Sequence, residues 1–310
     1  MHAYVRTDAT DQNVELAEVP APTPDADEVV VAVHAFGVGV HDRYFIPPGV
    51  SFPYVIGLEA AGVVAEIGAE VAGIEVGDRV MVTSVGNPKG GTWAPFAAVS
   101  ASRVTVVPDS LDLVTAAAIP IAGDAALESL HTLGMESGQT LFVAGASGAI
   151  GSLVVQMAVQ RGVRVAGSAS PANHDHVRSS GAELAVDYGD STWADQVHEW
   201  AAGGVDAALA ILPGTPVPSL QVVRDGGHLV TVSGDPCPSE RGIHVEQFPH
   251  RADTRSEMAE LVADVSTGRT RMVIEHVYPF EQALRALAKT ETRHARGKLV
   301  VTVPADERHR

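Results

Sequence analysis

Residues 140–151 read Thr-Leu-Phe-Val-Ala-Gly-Ala-Ser-Gly-Ala-Ile-Gly, an apolar run ending in glycines at 145, 148 and 151. This order predicts a buried strand, a tight turn and the first turn of a helix. It gathers free backbone N–H groups and the positive end of a helix dipole at one point, which suits the paired phosphates of a dinucleotide. Gly145 permits the turn, Gly148 lets the backbone approach the diphosphate, and Gly151 lets helix and strand pack closely. Ser147, Ala149 and Ile150 belong to the same cradle. Ile150, Leu153, Val154, Met157 and Ala158 then recur at helical spacing.

A rival reading uses the same residues. Gly145-Ala-Ser147-Gly148-Ala149 approaches a nucleophile elbow, and Asp206 and His228 follow in the chain order a hydrolase needs. The elbow's last glycine is Ala149, however, and Gly151 has no role in it. The dinucleotide reading accounts for all three glycines.

Composition narrows the class. The 310 residues suffice for two domains, and 45% hydrophobic against 19% charged residues predicts a soluble globular protein. A net charge of −17 repels polyphosphate backbones, so no nucleic-acid partner is expected. The single cysteine, Cys237, excludes an intrachain disulfide and a Cys-rich zinc lobe. No apolar run approaches a membrane span and no signal peptide is recognisable, so no membrane partner and a cytoplasmic location are expected.

Along the chain, residues 1–110 hold short β-rich runs (29–34, 61–67, 78–82, 96–99) punctuated by Gly and Pro turns. From about 113, helical and strand patterns alternate. An Ala-rich segment at 113–133 precedes strands at 140–144, 163–166, 184–187, 206–211 and 228–232. Helices are expected at 150–161, 172–180, 191–202 and 216–224. Alternation of this kind implies right-handed crossovers and a parallel sheet. A helix carrying Met258, Leu261, Val262 and Val265 follows, then strand–helix–strand over 273–277, 280–288 and 298–303. Residues 305–310 read as a polar frayed end.

Taken together, these runs resemble the medium-chain dehydrogenase/reductase superfamily, in its zinc-free quinone oxidoreductase branch. The resemblance spans nearly the whole chain. It rests on Gly37-Val-Gly-Val-His-Asp42-Arg-Tyr44, Gly57-Leu-Glu59-Ala-Ala-Gly62 through Gly68, Gly77-Asp-Arg-Val80, Gly91-Thr-Trp-Ala-Pro-Phe, the 143–151 turn, Gly226-Gly-His-Leu-Val and Arg296-Gly-Lys-Leu-Val-Val301. It implies an α/β protein in which a GroES-like β domain (1–112 and 270–310) accompanies a doubly wound parallel-sheet Rossmann domain (113–269). Zinc-dependent relatives place Cys, His and Cys where Gly39, Leu58 and Ile121 stand here, and none of these can bind a cation. Glu59 is expected to be structural, His174 and His176 to be exposed helix histidines, and His41 with Asp42 to be a surface pair. Without a Lewis acid, the chemistry implied is reduction of an already electrophilic small molecule.

NAD sites of this fold usually carry Asp or Glu about 20 residues past the first glycine. Here the second strand ends Gly167-Ser168-Ala-Ser170, with no carboxylate before Asp175. A carboxylate would repel a 2′-phosphate, so NADPH is expected over NADH, with NADH left open. Related reductases grip that phosphate with a lysine and a tyrosine; Asn173 or His174 stands at the first position and Tyr188 matches the second. Leu212 and Ser233 line the same nucleotide-binding region. The resemblance implies hydride transfer to a quinone or an α,β-unsaturated ketone in an apolar cleft, with Tyr44 as candidate proton donor, and a homodimer. Gly39, Ala125 and Ile211-Leu212-Pro213 depart from the polar residues usual near the nicotinamide. A nucleotide-binding protein without turnover, a redox sensor or scaffold, is therefore the alternative. Asp124, where relatives are apolar, reads as an exposed helix acid or a pocket residue.

Overall fold

Short apolar-rich runs up to residue 106 form eight strands: β1 (His2–Arg6), β2 (Glu15–Glu18), β3 (Glu28–Val38), β4 (Tyr54–Val55), β5 (Glu59–Ile67), β6 (Arg79–Thr83), β7 (Phe96–Ser100) and β8 (Val104–Val106). Next come α1 (Leu113–Ala116) and α2 (Pro120–Leu133). The Ala-rich segment expected as one element thus breaks at Pro120, whose missing N–H and ring forbid a helix interior but suit a first turn. Then alternate β9 (Thr140–Ala144), α3 (Ala149–Gln160), β10 (Arg164–Ala169), α4 (His174–Ser179), β11 (Leu184–Asp187), α5 (Trp193–Trp200), β12 (Val205–Ala210), α6 (Pro216–Leu220), β13 (Val223–Thr231) and β14 (His244–Gln247). The chain closes with α7 (Arg255–Thr267), β15 (Ile274–Pro279), α8 (Ala283–Glu291) and β16 (Lys298–Thr302). This computed structural model describes residues 1–247 and 253–305, so most of the expected polar end lies outside the described residues.

The chain divides into two units, Met1–Ile121 with Met258–Arg310, and Ala122–Glu257. In the first, strands run in the order β15-β16-β3-β5-β6-β8, with β7 also on β3 and a small sheet β2-β1-β4. β16 is antiparallel to β3, Leu299 opposite Val38. That register carries Lys298 to the end of β3, the single placement on which the buried charges of this unit depend. Trp93 and Phe36 stack at 5.0 Å, and Tyr4 meets Phe280 at 5.2 Å while its hydroxyl donates to the Phe280 carbonyl. N- and C-terminal segments therefore share one core, which also buries Val31, Val33, Leu299 and Val301. Each such side chain stabilises the fold by about 1.5–3 kcal/mol.

The second unit holds the six-stranded sheet β11-β10-β9-β12-β13-β14, parallel throughout. Its core joins Phe142, Val186, Leu220 and Leu229; Phe142 stacks on Trp193 at 5.3 Å. The helix expected over 216–224 ends at Leu220, because β-branched Val222 and Val223 are claimed by the sheet, where Val223 pairs with Val205. β14 is an element the sequence did not signal: His-Val-Glu-Gln lacks the apolar alternation of a strand.

Candidate active site

The glycine turn is built from backbone. The end of β9 is held on both sides: Ala146 N–H donates to the Ser168 carbonyl at 3.1 Å and Ile211 N–H to the Ala144 carbonyl at 3.2 Å. Gly145 lies at φ +93°, a left-handed conformation that costs an L-residue about 1–2 kcal/mol. A Cβ on Gly151 would sit 2.2 Å from the Gly145 carbonyl oxygen, so only glycine lets α3 start this close to the turn. Gly148 is the N-cap of α3 and Ser152 N–H donates to its carbonyl at 2.9 Å. The N–H groups of Ala149, Ile150 and Gly151 precede that bond, and among the described residues no side chain caps them. Ser147 and Ile150 are half-buried beside them. Uncapped amides at the positive end of a twelve-residue helix form an anion cradle.

β10 runs beside this turn. Gly167 pairs with Val143, and a Cβ there would meet the Ala146 Cβ at 2.5 Å. Ser168 is buried opposite Ala144, and Ser170 follows at the strand end. Asn173 Nδ2 donates to Ser170 Oγ at 3.2 Å, while His174 Nε2 lies 3.2 Å from the Ala169 carbonyl. Ser168, Ser170, Asn173 and His174 thus collect at one strand end with no carboxylate among them. Tyr188 is exposed just past β11. Leu212 packs where a Gly145 Cβ would point, 3.3 Å away, and Ser233 Oγ lies 3.3 Å from Thr231 Oγ1. Ala125 is buried in α2, and Asp124 is half-buried, accepting from the Thr254 hydroxyl at 2.5 Å.

The rival elbow finds no partner in its acid. Asp206 Oδ2 accepts from both the Thr140 N–H and hydroxyl at 2.8 Å, and Oδ1 accepts from Arg224 at 2.9 Å. His228 faces Glu246 instead of a serine.

In the first unit, a buried ammonium lies close to Gly39. Lys298 pairs with Glu59, both nearly free of solvent contact. The other Glu59 oxygen accepts from the Ile121 N–H at 2.8 Å. Asp42 Oδ2 accepts from the Gly39 N–H at 2.6 Å. A Cβ on Gly39 would lie 3.8 Å from that oxygen and 4.0 Å from Lys298 Nζ. Burial pushes the Asp42 carboxyl up to about 7, overcoming the opposing pull of the Gly39 amide and the Lys298 charge. Burial likewise raises Glu59, against the Lys298 charge and hydrogen bond. The expected surface pair of His41 and Asp42 is therefore corrected. Asp42 is 2% exposed and faces a lysine, while exposed His41 packs its ring near Phe45 at 5.0 Å. His174 and His176, expected to be exposed, are both half-buried, because α4 is short and turns back onto β10. Tyr44 is 46% exposed in the turn after β3. Nothing in the sequence near Asp42 announced its burial or its distant partner; only the β3–β16 register reveals it.

Two family descriptions match the chain: the alcohol dehydrogenase GroES-like domain over residues 25–109, and zinc-binding dehydrogenase over 180–301. The quinone oxidoreductase of Sus scrofa is 28% identical over 307 residues, covering 92% of each chain. A trans-enoyl reductase of Aspergillus terreus is 30% identical over 227 residues, 66% of this chain and 75% of its own. Among solved structures, a mycobacterial protein complexed with NADPH superposes with a TM-score of 0.85 at 25% identity, covering 97% of this chain and 99% of that one. With a GroES-like β unit, a parallel Rossmann-type sheet and these relatives, the chain is an oxidoreductase enzyme that binds a pyridine nucleotide and belongs to the quinone oxidoreductase branch of the medium-chain dehydrogenase/reductase superfamily.

Proposed function

We propose that the chain is an NADPH-dependent, zinc-independent reductase of quinones or α,β-unsaturated ketones. The observation that carries the cofactor reading is the end of β10, where Ser168, Ser170 and Asn173 meet without a carboxylate beside an uncapped helix start. Bound there, the nucleotide supplies a hydride. The amides of Ala149, Ile150 and Gly151 hold its diphosphate, a local attraction acting against the field of a chain that carries −17 overall. Ser168, Ser170, Asn173 and Tyr188 donate to the 2′-phosphate in place of a lysine. The hydroxyl of Tyr44 gives the proton that the acceptor's oxygen takes up as its β-carbon receives hydride.

Zinc independence is supported by the donor set. Gly39, Leu58 and Ile121 offer no ligand side chain, and the two nearby carboxylates are already committed to backbone amides and to Lys298. A fixed ammonium supplies the positive charge that a metal would otherwise bring to this spot. The reading includes a cytoplasmic location and a homodimer, the latter checked by sedimentation equilibrium.

Following NADPH absorbance against a panel of quinones and enones, with and without a strong chelator, tests the proposal. Chelator-insensitive oxidation of NADPH, faster than of NADH, is expected. NADPH binding with no acceptor reduced defeats the reductase reading in favour of a sensor or scaffold. Loss of turnover on chelation, restored by zinc, defeats the zinc-independent one.

A further inference from the structure

We propose that His228, His244 and Glu246 form a divalent metal site, of zinc-type chemistry, at the edge of the parallel sheet and separate from any catalytic position. In the parallel pairing of β13 with β14, His228 stands opposite His244, and Glu246 follows two residues along β14. Strand alternation puts His244 and Glu246 on one face, and the lateral pairing sets His228 on that same face. The two imidazoles lie 4.9 Å apart between centroids. One carboxylate oxygen, Glu246 Oε2, is 3.5 Å from His228 Nε2 and 3.5 Å from His244 Nε2. The three ligating atoms all fall within 4.8 Å of one another.

Those separations are informative. Two metal bonds of about 2.0–2.1 Å meeting at a tetrahedral angle place their ligand atoms roughly 3.3–3.4 Å apart. The two nitrogen–oxygen distances are therefore close to coordination edges and long for hydrogen bonds. His228 Nε2 is covered from solvent and has no hydrogen-bond partner among the described residues, a state that costs free energy unless something binds it. Two imidazole nitrogens and one carboxylate oxygen suit zinc better than magnesium or calcium, which take oxygen ligands. His244 is largely exposed, so a fourth position is open to water.

The consequence is structural. β14 is a four-residue strand at the sheet edge. A metal bridging His228 to His244 and Glu246 fastens that edge to β13 where side-chain packing alone is thin.

The test uses the full chain, stripped with chelator and dialysed, titrated with Zn²⁺ alone by calorimetry and with Co²⁺ by visible absorption. One equivalent of Zn²⁺ is expected, with a tetrahedral Co²⁺ spectrum and a raised melting temperature. His244→Ala and Glu246→Gln, both at accessible positions, are expected to weaken binding at least tenfold and abolish the spectrum. No zinc binding by the wild type, or equal binding by both variants, overturns the proposal. NADPH oxidation measured on the same stripped sample separates this site from the zinc-independence reading: its retention leaves that reading intact whichever way the titration falls.

Discussion

The glycine turn of the second unit and the buried charges of the first solve opposite problems. The turn places the partial positive charge of uncapped amides at the start of α3 in a strongly acidic protein, without using a single cationic side chain. It does so with amides from consecutive residues, held in place by backbone bonds to the neighbouring strands rather than by paired side-chain charges. The cluster of Asp42, Glu59 and Lys298 hides three ionisable side chains from water, drawn from three strands or turns. Its balance depends on each partner being present. Backbone electrostatics tolerates change in what surrounds it; buried side-chain electrostatics does not.

The strongest way to break that contrast is Lys298→Met. It keeps the apolar stem but leaves Glu59 and Asp42 facing each other without a cation. Removing one member of a buried pair costs about 3–5 kcal/mol, and urea denaturation is expected to read a loss of that size. Adding Glu59→Gln to the same chain should return part of it. A Lys298→Met protein as stable as the wild type would mean that these charges are hydrated in solution and the comparison false.

Gly151→Ala is the matching experiment on the turn. Its new Cβ strikes the Gly145 carbonyl, a backbone atom that cannot swing aside, 2.2 Å away. Overpacking of this kind costs about 1–3 kcal/mol, and the displaced helix start should weaken NADPH at least tenfold by fluorescence titration. Unchanged affinity would show that the nucleotide does not depend on the α3 amides.

These two regions also differ in how far they could be read from sequence. The turn was legible because its cause is local: an apolar run, three glycines and a helical period occupy adjacent residues. The alternation of strands and helices, and with it the parallel sheet, followed from the same kind of pattern. Lys298, by contrast, enters the sequence reading only as the first residue of an expected strand, until the β16–β3 register places it beside Gly39. Asp42 reads as a surface acid beside a histidine for the same reason. His228 and His244 sit on strands that become neighbours only in the folded sheet, and the polar composition of β14 concealed that it was a strand. Long-range register, and the burial it creates, is what single-sequence patterns do not carry.

Asp42→Asn sharpens the comparison through pH. A carboxyl whose folded pKa is raised from its ordinary value to about 7 binds a proton in the folded state that the unfolded chain has released. Stability from this group is therefore fullest below the unfolded pKa, near 4, and declines as pH rises toward 7. The slope is at most about 1.4 kcal/mol per pH unit. Asparagine keeps the shape and an acceptor for the Gly39 amide but cannot ionise. Melting temperatures from pH 5 to 8 should fall less steeply in the variant. Parallel profiles would place the Asp42 titration outside this range.

The smallest expected effect falls at the strand end beside the turn. Ser170 is half-buried at the N-cap of the short 3-10 turn Pro171–Asn173, where aspartate is as well tolerated as serine. Ser170→Asp should also keep the hydrogen bond from Asn173 Nδ2. Stability is thus expected to stay within about 0.5 kcal/mol of the wild type. What changes is charge: a carboxylate now faces the 2′-phosphate of NADPH but can accept from the 2′-hydroxyl of NADH. The ratio of kcat/KM for the two cofactors should move about tenfold toward NADH, a difference of about 1.4 kcal/mol. An unmoved ratio in a stable variant would mean that the ribose end does not reach this strand, however well the α3 amides hold the diphosphate.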